Sequence, residues 1–191
     1  LCTMNYDGLG VDDDTRLRHL VRMVENLRVA SVLNKAPGAL LPFVYDVKQC
    51  MRANPYHGFS HVTDVTQYMY TLLLATHVAD ALSPVERAAA LVAAMCHDLD
   101  HPGLSNTFQN NENSELSRRY DRQSPLENHH LAVFEKLAEK HRLFDGMDLR
   151  DAARFREVVR GMVLATDMAR HGALMERIKQ KLAEPAWHPL Q

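Results

Sequence analysis

The chain has 191 residues, of which 46% are hydrophobic and 24% are charged, and its formal net charge at pH 7 is −2. This composition is that of a soluble globular protein, and the length suits one domain that buries roughly 70% of its unfolded surface. The negative charge argues against a polyanionic partner, and the apolar runs are too short to span a bilayer. We therefore expect no nucleic acid partner and no membrane contact from this segment.

The cysteines and the chain ends indicate the setting. Cys2, Cys50 and Cys96 are scattered, so neither a disulfide framework nor a thiolate zinc site is expected. This predicts an intracellular protein, in the cytoplasm or at the cytoplasmic face of a membrane. The sequence begins at Leu1 without the order of a signal peptide and stops at Gln191. We expect a fragment of a longer protein, whose flanks would carry any regulatory domains or dimerisation elements.

The first helices are predicted from capping residues and apolar stripes. Residues 1–11 show no hydrophobic period and are predicted as a loop. Asp12 to Thr15 supply acidic and capping residues before an apolar stripe, which predicts a first helix that extends to about Leu33. Pro42 suits the first turn of a second helix.

A third helix is predicted to begin at Asn54. Asn is a common N-cap residue, and Pro55 would occupy the first helical position. Side chains at i and i+4 lie on one helical face, so His57 and His61 would point into the same pocket.

The fourth helix is predicted to be buried. The tetrapeptide at 83–86 has the Ser-x-x-Glu spacing of a capping box, and the helix that follows is almost wholly apolar up to His97. A helix that is apolar on all sides lies in the core. We expect it to end at Asp100–Gly103, because Pro102 disfavours helix in the residue before it and Gly often follows a helix end.

The remaining sequence is also predicted to be helical. Residues 104–122 are polar, and helix is less favoured there. Residues 124–127 repeat the capping-box spacing, Asp148 is a predicted N-cap, and a last helix is expected from about Ala169 to Ala183. No alternating strand pattern appears, so the predicted fold is a compact all-α, multi-helix domain.

Five side chains of metal-ligand type are concentrated in two short segments. His57 and His61 are four residues apart, and His97, Asp98 and His101 follow within one motif. Imidazole suits zinc and other first-row divalent ions, whereas carboxylate also suits magnesium or manganese. A single carboxylate can bridge two ions. The pattern therefore predicts a metal site, and an adjacent His and Asp would serve a mixed pair of metals.

A zinc-protease helix is excluded as an explanation. The His-x-x-x-His spacing is shared with that motif, but Gly58 stands where the protease requires the Glu that acts as its general base.

Four segments together resemble the catalytic domain of class I cyclic nucleotide phosphodiesterases, members of the HD superfamily. They occur in the order of that family, over about residues 40–180, and as a set they are highly specific. The segments are Asn54-Pro55-Tyr56-His57 with His61, Asp64, Val65 and Gln67; His97 to Gly103 with Asn106; Ser124 with Leu126 to His130; and Ala165 to Met168 with His171.

The resemblance implies two metals. By it, His61, His97 and Asp98 are ligands of the tighter metal, expected to be zinc, and Asp98 bridges to a second, expected to be magnesium or manganese. A hydroxide between the ions would attack phosphorus, and both ions would stabilise the developing charge. The implied reaction is hydrolysis of 3′,5′-cyclic nucleotides, cAMP or cGMP, to 5′-nucleoside monophosphates in cyclic-nucleotide signalling.

The resemblance also implies roles for seven further residues. Four match positions that hold water on the second metal, one matches the general acid that protonates the departing 3′ oxygen, and two match the lining of the nucleotide pocket. They are His101, Asn106, Glu127 and Thr166, then His57, then Tyr56 and Met168.

Several alternatives remain open at this stage. Glu127 occupies the third position of its capping box and would be only a cap on that interpretation. His129 and His130 read as ordinary helix histidines and receive no role. An HD-type hydrolase of another phosphate ester and an inactive nucleotide-binding or regulatory module are the competing functions. The family's later Asp ligand and its purine-binding Gln have no match here, so residues 1–191 are expected to be a partial domain with core motifs at 54–171 and no C-terminal part.

Overall fold

The computed structural model describes residues 8, 10–75 and 77–184, which fold into helices joined by short loops. No strand occurs among them, and the all-α prediction is confirmed. The helices are α1 Asp13–Asn26, α2 Val29–Val32, α3 Leu41–Gln49, α4 Phe59–Ala75, a 3-10 helix His77–Ala81, α5 Pro84–Cys96, α6 Asn106–Asn111, α7 Glu115–Arg119, α8 Pro125–Lys140, α9 Leu149–Ala165 and α10 Met168–Ala183.

The buried helix α5 is the centre of the fold. Every residue from Ala88 to Cys96 is buried, and α2, α4, α8 and α9 pack around this segment. The predicted capping box is confirmed, since Ser83 Oγ accepts from the Glu86 N–H at 3.2 Å and Glu86 Oε2 accepts from the Ser83 N–H at 2.8 Å. The capping box therefore determines where α5 begins, and its apolar side chains place it in the core.

The first predicted helix is broken in the structure. It ends at Asn26, Arg28 adopts a left-handed φ of 52°, and a short α2 follows. The apolar stripe continues through the break, because Val29 and Leu33 are buried like the residues of α1. Because the apolar spacing is the same on both sides of Arg28, the hydrophobic pattern alone could not predict the break.

The third predicted helix begins later than expected. Asn54 is not its N-cap, since α4 starts at Phe59 and residues 55–58 form turns. The Asn54 side-chain amide donates to the carbonyl oxygens of His57 at 3.1 Å and His101 at 2.7 Å. The residue thus joins two loops, and His57 lies outside the helix that carries His61.

The second predicted capping box is wrong. Ser124 adopts a left-handed φ of 44° and makes no capping hydrogen bond. Its hydroxyl donates instead to Asp167 Oδ2 at 2.7 Å, which ties the start of α8 to the start of α10. The capping role of Asp148 is confirmed, and Asp167 caps α10 by accepting from the Ala169 N–H. Among the described residues, no helix combines the length and hydropathy needed to cross a bilayer.

An ion pair links the start of α5 to α9 and should make stability depend on pH. The Arg154 guanidinium donates to Glu86 Oε1 at 2.6 Å, and this bond, with the Ser83 contacts, lowers the pKa of Glu86 from 4.5 to about 2. A lowered folded-state pKa stabilises the protein above the unfolded pKa, and that stabilisation is lost as the pH falls toward about 2.

We expect the free energy of unfolding of the wild type to decrease as the pH is lowered from about 5 to about 3. Glu86→Gln should flatten this dependence, because the amide does not titrate. Glu157→Gln is the matched control, since Glu157 also accepts from Arg154 but within α9 itself. Urea titrations at the two pH values measure the effect, and equal pH dependence in wild type and Glu86→Gln would contradict it.

Candidate active site

The end of α5 positions the His-Asp dipeptide. The helix stops at Cys96, with His97 as C-cap, and not at Asp100–Gly103 as the sequence predicted. Turns follow, and Asp100 adopts a left-handed φ of 56°. On a continuing helix, His97 and Asp98 would diverge by about 100°. Because the helix has already ended, both side chains reach the same point.

Three side chains form a first metal-binding group. His61 Nε2 lies 3.3 Å from His97 Nε2, and Asp98 Oδ2 lies 3.5 and 3.4 Å from these two nitrogens. His97 Nδ1 lies 2.8 Å from the Ala94 carbonyl oxygen and must donate to it, which leaves a lone pair on Nε2. Burial is the main cause that lowers the pKa of His61. The group therefore presents two imidazole nitrogens beside a carboxylate oxygen.

A second group lies on the other oxygen of the same carboxylate. His130 Nε2 is 3.9 Å from Asp98 Oδ1, and His130 Nδ1 donates to the Leu99 carbonyl oxygen at 2.6 Å. His101 joins this group, but its Nδ1 accepts from the Gly103 N–H, so the proton of the neutral ring lies on Nε2. Burial lowers the pKa of His101 and of His130 to about 4, so both rings are neutral at pH 7.

Apart from His101, whose two ring nitrogens are occupied by a hydrogen bond and a proton, the side chains of both groups offer ligand atoms that fit divalent cations. In each group the ligand atoms lie within 4.8 Å of one another. Asp98 Oδ2 is buried and accepts no hydrogen bond. A buried carboxylate oxygen that faces two imidazole nitrogens is electrostatically unfavourable unless a cation lies between them. These residues can therefore hold metal at two adjacent positions that share Asp98.

His57 lies beside these groups without belonging to either. Its ring stacks on His101 with a centroid distance of 3.9 Å and an interplanar angle of 10°. Tyr56 contacts the His57 ring edge-on at 4.9 Å, and the His61 ring is 6.0 Å away. The predicted convergence of His57 and His61 is thus present, although only His61 is helical.

Glu127 faces the site and does not cap its helix. The Asn106 side-chain amide donates to both Glu127 oxygens, at 3.1 and 2.8 Å, and Asn106 Oδ1 accepts from the Leu126 N–H. Burial raises the pKa of Glu127 above its usual range. Because Ser124 makes no cap here, the interpretation of Glu127 as a capping residue is wrong.

One cleft of about 1290 Å³ contains the whole arrangement. Tyr56 and Met168 are strongly exposed at its edge, and Thr166, which ends α9, also lines it. The cleft brings together all the candidate residues named from the sequence: Tyr56, His57, His61, His97, Asp98, His101, Asn106, Glu127, Thr166 and Met168.

A family model described as 3′5′-cyclic nucleotide phosphodiesterase matches residues 56–189. The chain belongs to this family. A cGMP-specific 3′,5′-cGMP phosphodiesterase 3 of Dictyostelium discoideum is 31% identical over 97% of this chain and 40% of its own length. A human high affinity cGMP-specific 3′,5′-cyclic phosphodiesterase 9A is 37% identical over 85% of this chain and 28% of its own length.

A solved structure extends the comparison to the fold. The phosphodiesterase domain of the RhoPDE fusion protein from the choanoflagellate Salpingoeca rosetta has a TM-score of 0.91 and 29% identity, over 99% of this chain and 60% of that one. The chain thus spans less than half the length of the two curated phosphodiesterases and about three fifths of the solved domain.

Asp100 holds the loop that carries the His-Asp motif. Arg52 Nε donates to Asp100 Oδ1 at 2.6 Å, and His129 Nε2 donates to Asp100 Oδ2 at 2.8 Å. The Asp100 N–H donates to the Cys50 carbonyl oxygen. These bonds fasten residues 97–101 to the end of α3 and to α8, and the Arg52 bond is the main cause of the lowered pKa of Asp100.

His130 is the residue that sequence reasoning missed. The two adjacent histidines look alike in the sequence, but they make different contacts in the structure. His129 binds Asp100, whereas His130 is buried against Leu99 and Asp98. The apolar period of α8 indicates that His130 is buried, because it falls on the same side as the buried Leu126 and Leu131.

We expect His130→Gln to weaken the binding of one divalent ion to the chain, because the substitution removes the imidazole lone pair that faces Asp98. His141→Gln is the matched control and should leave metal affinity unchanged, because His141 binds Asp46 outside the cleft. Titration with Mn²⁺, followed by electron paramagnetic resonance of the free ion, measures the number and affinity of sites. Equal weakening in both variants would contradict a specific role for His130.

Proposed function

We propose that this protein hydrolyses the 3′ ester of 3′,5′-cyclic nucleotides and releases 5′-nucleoside monophosphates. The observation that carries the proposal is the convergence, in one cleft, of two metal-binding groups that share Asp98 with the ring of His57. Family membership supports the same reaction class. The curated relatives are named for cGMP or cAMP, and we propose cyclic nucleotides of this kind as the substrate partner.

The metal ligands in this proposal are His61, His97 and Asp98 for the first ion, and Asp98 with His130 for the second. Two imidazole nitrogens suit zinc, whereas a carboxylate oxygen also suits magnesium or manganese. Such a pair, when bound, would supply Lewis acidity toward the phosphoryl group and lower the pKa of water. Asp98 would hold both ions, because its Oδ2 faces His61 and His97 and its Oδ1 faces His130.

The remaining polar groups would orient water in the cleft when the second ion is bound. His101 carries its proton on Nε2 and is a donor, because its Nδ1 already accepts from the Gly103 N–H. Glu127 is an acceptor whose two oxygens are fixed by Asn106. The Thr166 hydroxyl donates to the Val163 carbonyl oxygen and keeps a lone pair for water. Together these groups form a mixed set of donors and acceptors.

His57 is proposed as the proton donor to the departing 3′ oxygen. It lines the cleft next to His61 and His101 without sharing their contacts to Asp98. Tyr56 and Met168, exposed at the edge of the cleft, are proposed to contact the nucleotide base and ribose. Apolar and aromatic side chains at a cleft edge suit a planar ligand of this type.

The metal assignment predicts a graded loss of ions. Asp98→Ala should lose both, because its carboxylate serves both positions, whereas His61→Ala and His97→Ala should weaken mainly the first. Inductively coupled plasma mass spectrometry of the purified proteins measures the metal content. His141→Ala, a remote histidine that binds Asp46, is the control. Unchanged metal content in all three site variants would refute the assignment.

The assignment of His57 predicts a kinetic signature. General acid catalysis contributes about 10²- to 10⁴-fold, so His57→Ala should slow turnover of cAMP or cGMP by that order while keeping its metals. Bis(4-nitrophenyl) phosphate has a leaving group that needs no protonation, and its hydrolysis should be nearly unaffected. Loss of metal from His57→Ala would mean instead that His57 is a ligand.

The same assay separates the competing functions. An inactive nucleotide-binding module would bind cAMP or cGMP without turnover at any metal concentration. A hydrolase of another phosphate ester would cleave bis(4-nitrophenyl) phosphate but neither cyclic nucleotide. Turnover of a cyclic nucleotide to the 5′-monophosphate, resolved by chromatography from the 3′ isomer, would support the proposal over both.

A further inference from the structure

Asn54 connects the loop of His57 to the loop of the metal-ligand motif. One side-chain NH₂ group donates to the carbonyl oxygens of both His57 and His101, at 3.1 and 2.7 Å. An amide NH₂ has two hydrogens, so both are used. The opposite orientation of the amide would place its oxygen against two carbonyl oxygens, which is repulsive, and the bonding pattern therefore fixes the side chain.

The two residues joined in this way are the two whose rings stack. His57 and His101 are far apart in sequence, and their ring centroids are 3.9 Å apart with nearly parallel planes. No hydrogen bond within the described part of the chain holds a ring nitrogen of His57. The position of this ring therefore depends on its backbone and on its ring contacts with His101 and Tyr56, and Asn54 holds the backbone.

Gly103 shows how closely the loops approach. A Cβ atom at this position would lie 2.8 Å from Asn54 Oδ1, and the residue has a left-handed φ of 79°. Both features favour glycine at this place. The turn after His101 can thus approach Asn54 closely enough for the short bond to the His101 carbonyl oxygen.

We propose that Asn54 is a positioning residue that sets the His57 ring against the metal-ligand loop. This inference rests on the proposed function, in which His57 is the proton donor. Asn54 does not line the cleft. It acts through His57, because displacement of the 54–58 turn would move the ring relative to the scissile bond.

The kinetic test uses Asn54→Asp, which has the same shape but replaces the donor NH₂ with an acceptor oxygen. A displacement of about 1 Å can cost about 10²-fold, so we expect kcat for cAMP or cGMP to fall by about 10- to 100-fold. Hydrolysis of bis(4-nitrophenyl) phosphate should be unchanged. When His57→Ala is already present, the ring that Asn54 positions is absent. Asn54→Asp should then change the cyclic-nucleotide rate by no more than about twofold, which is the usual deviation from additivity between mutations that do not interact.

Asn34→Asp is the matched control. Asn34 Nδ2 also joins two loops, by donating to the Gly146 carbonyl oxygen at 2.7 Å, but it lies outside the cleft. This variant should lose stability without loss of kcat for either substrate. A loss of kcat in Asn54→Asp that is equally large with His57→Ala already present would mean a general structural role and overturn the inference.

A second measurement does not depend on turnover. Stacking on His101 should shift the ring protons of His57 upfield in the NMR spectrum of histidine-labelled protein, with assignment by His57→Gln. Asn54→Asp should move these signals toward the positions of an unstacked histidine, and Asn34→Asp should not. Unchanged His57 signals in Asn54→Asp would overturn the inference.

The two proposals fail differently. If His57→Ala does not slow turnover of cyclic nucleotides, the proton-donor role is wrong, and the inference for Asn54 fails with it. If His57→Ala is slow, Asn54→Asp is not, and the His57 signals are unshifted, only the inference is overturned.

Discussion

The buried carboxylate of Asp98 is the constraint on which the rest of the site depends. Its two oxygens face different sets of imidazoles, His61 with His97 on one side and His130 with His101 on the other. A charge that is removed from water costs several kcal/mol unless ions or hydrogen bonds compensate it. Bound cations would supply this compensation and stabilise the ionised form of the Asp98 carboxylate. The imidazole nitrogens that surround it are of a type that binds such cations.

A rigid helix end is needed to hold such a carboxylate. α5 provides it because the helix is buried on all sides and its start is fixed by the Ser83 capping box. The loop beyond it is held at Asp100, by Arg52 on one carboxylate oxygen and by His129 on the other. None of these bonds reaches a metal position directly. They determine where the ligands lie, which in a site of this type is as important as the ligand types.

Sequence reasoning predicted the helices better than it predicted how they begin and end. Apolar period and capping signals are local, so they located α5 and α9, with their caps at Ser83 and Asp148. The same Ser-x-x-Glu spacing gave a wrong prediction of a capping box at Ser124, because the left-handed backbone there turns the hydroxyl toward Asp167. Asn54 misled for a similar reason. Its side chain binds carbonyl groups distant in sequence, and a local pattern contains no information about them.

The backbone also decides what each histidine can do, and no sequence pattern reveals this. His97 and His130 both donate Nδ1–H to a carbonyl oxygen, of Ala94 and Leu99, so each presents an Nε2 lone pair to Asp98. His101 accepts from a backbone N–H and therefore presents a proton. The burial that lowers the pKa of His101 and His130 to about 4 keeps these assignments fixed across neutral pH. The main chain thus divides three imidazoles into two that present a lone pair to the cleft and one that presents a proton, because each backbone partner uses one nitrogen and leaves the other for the cleft.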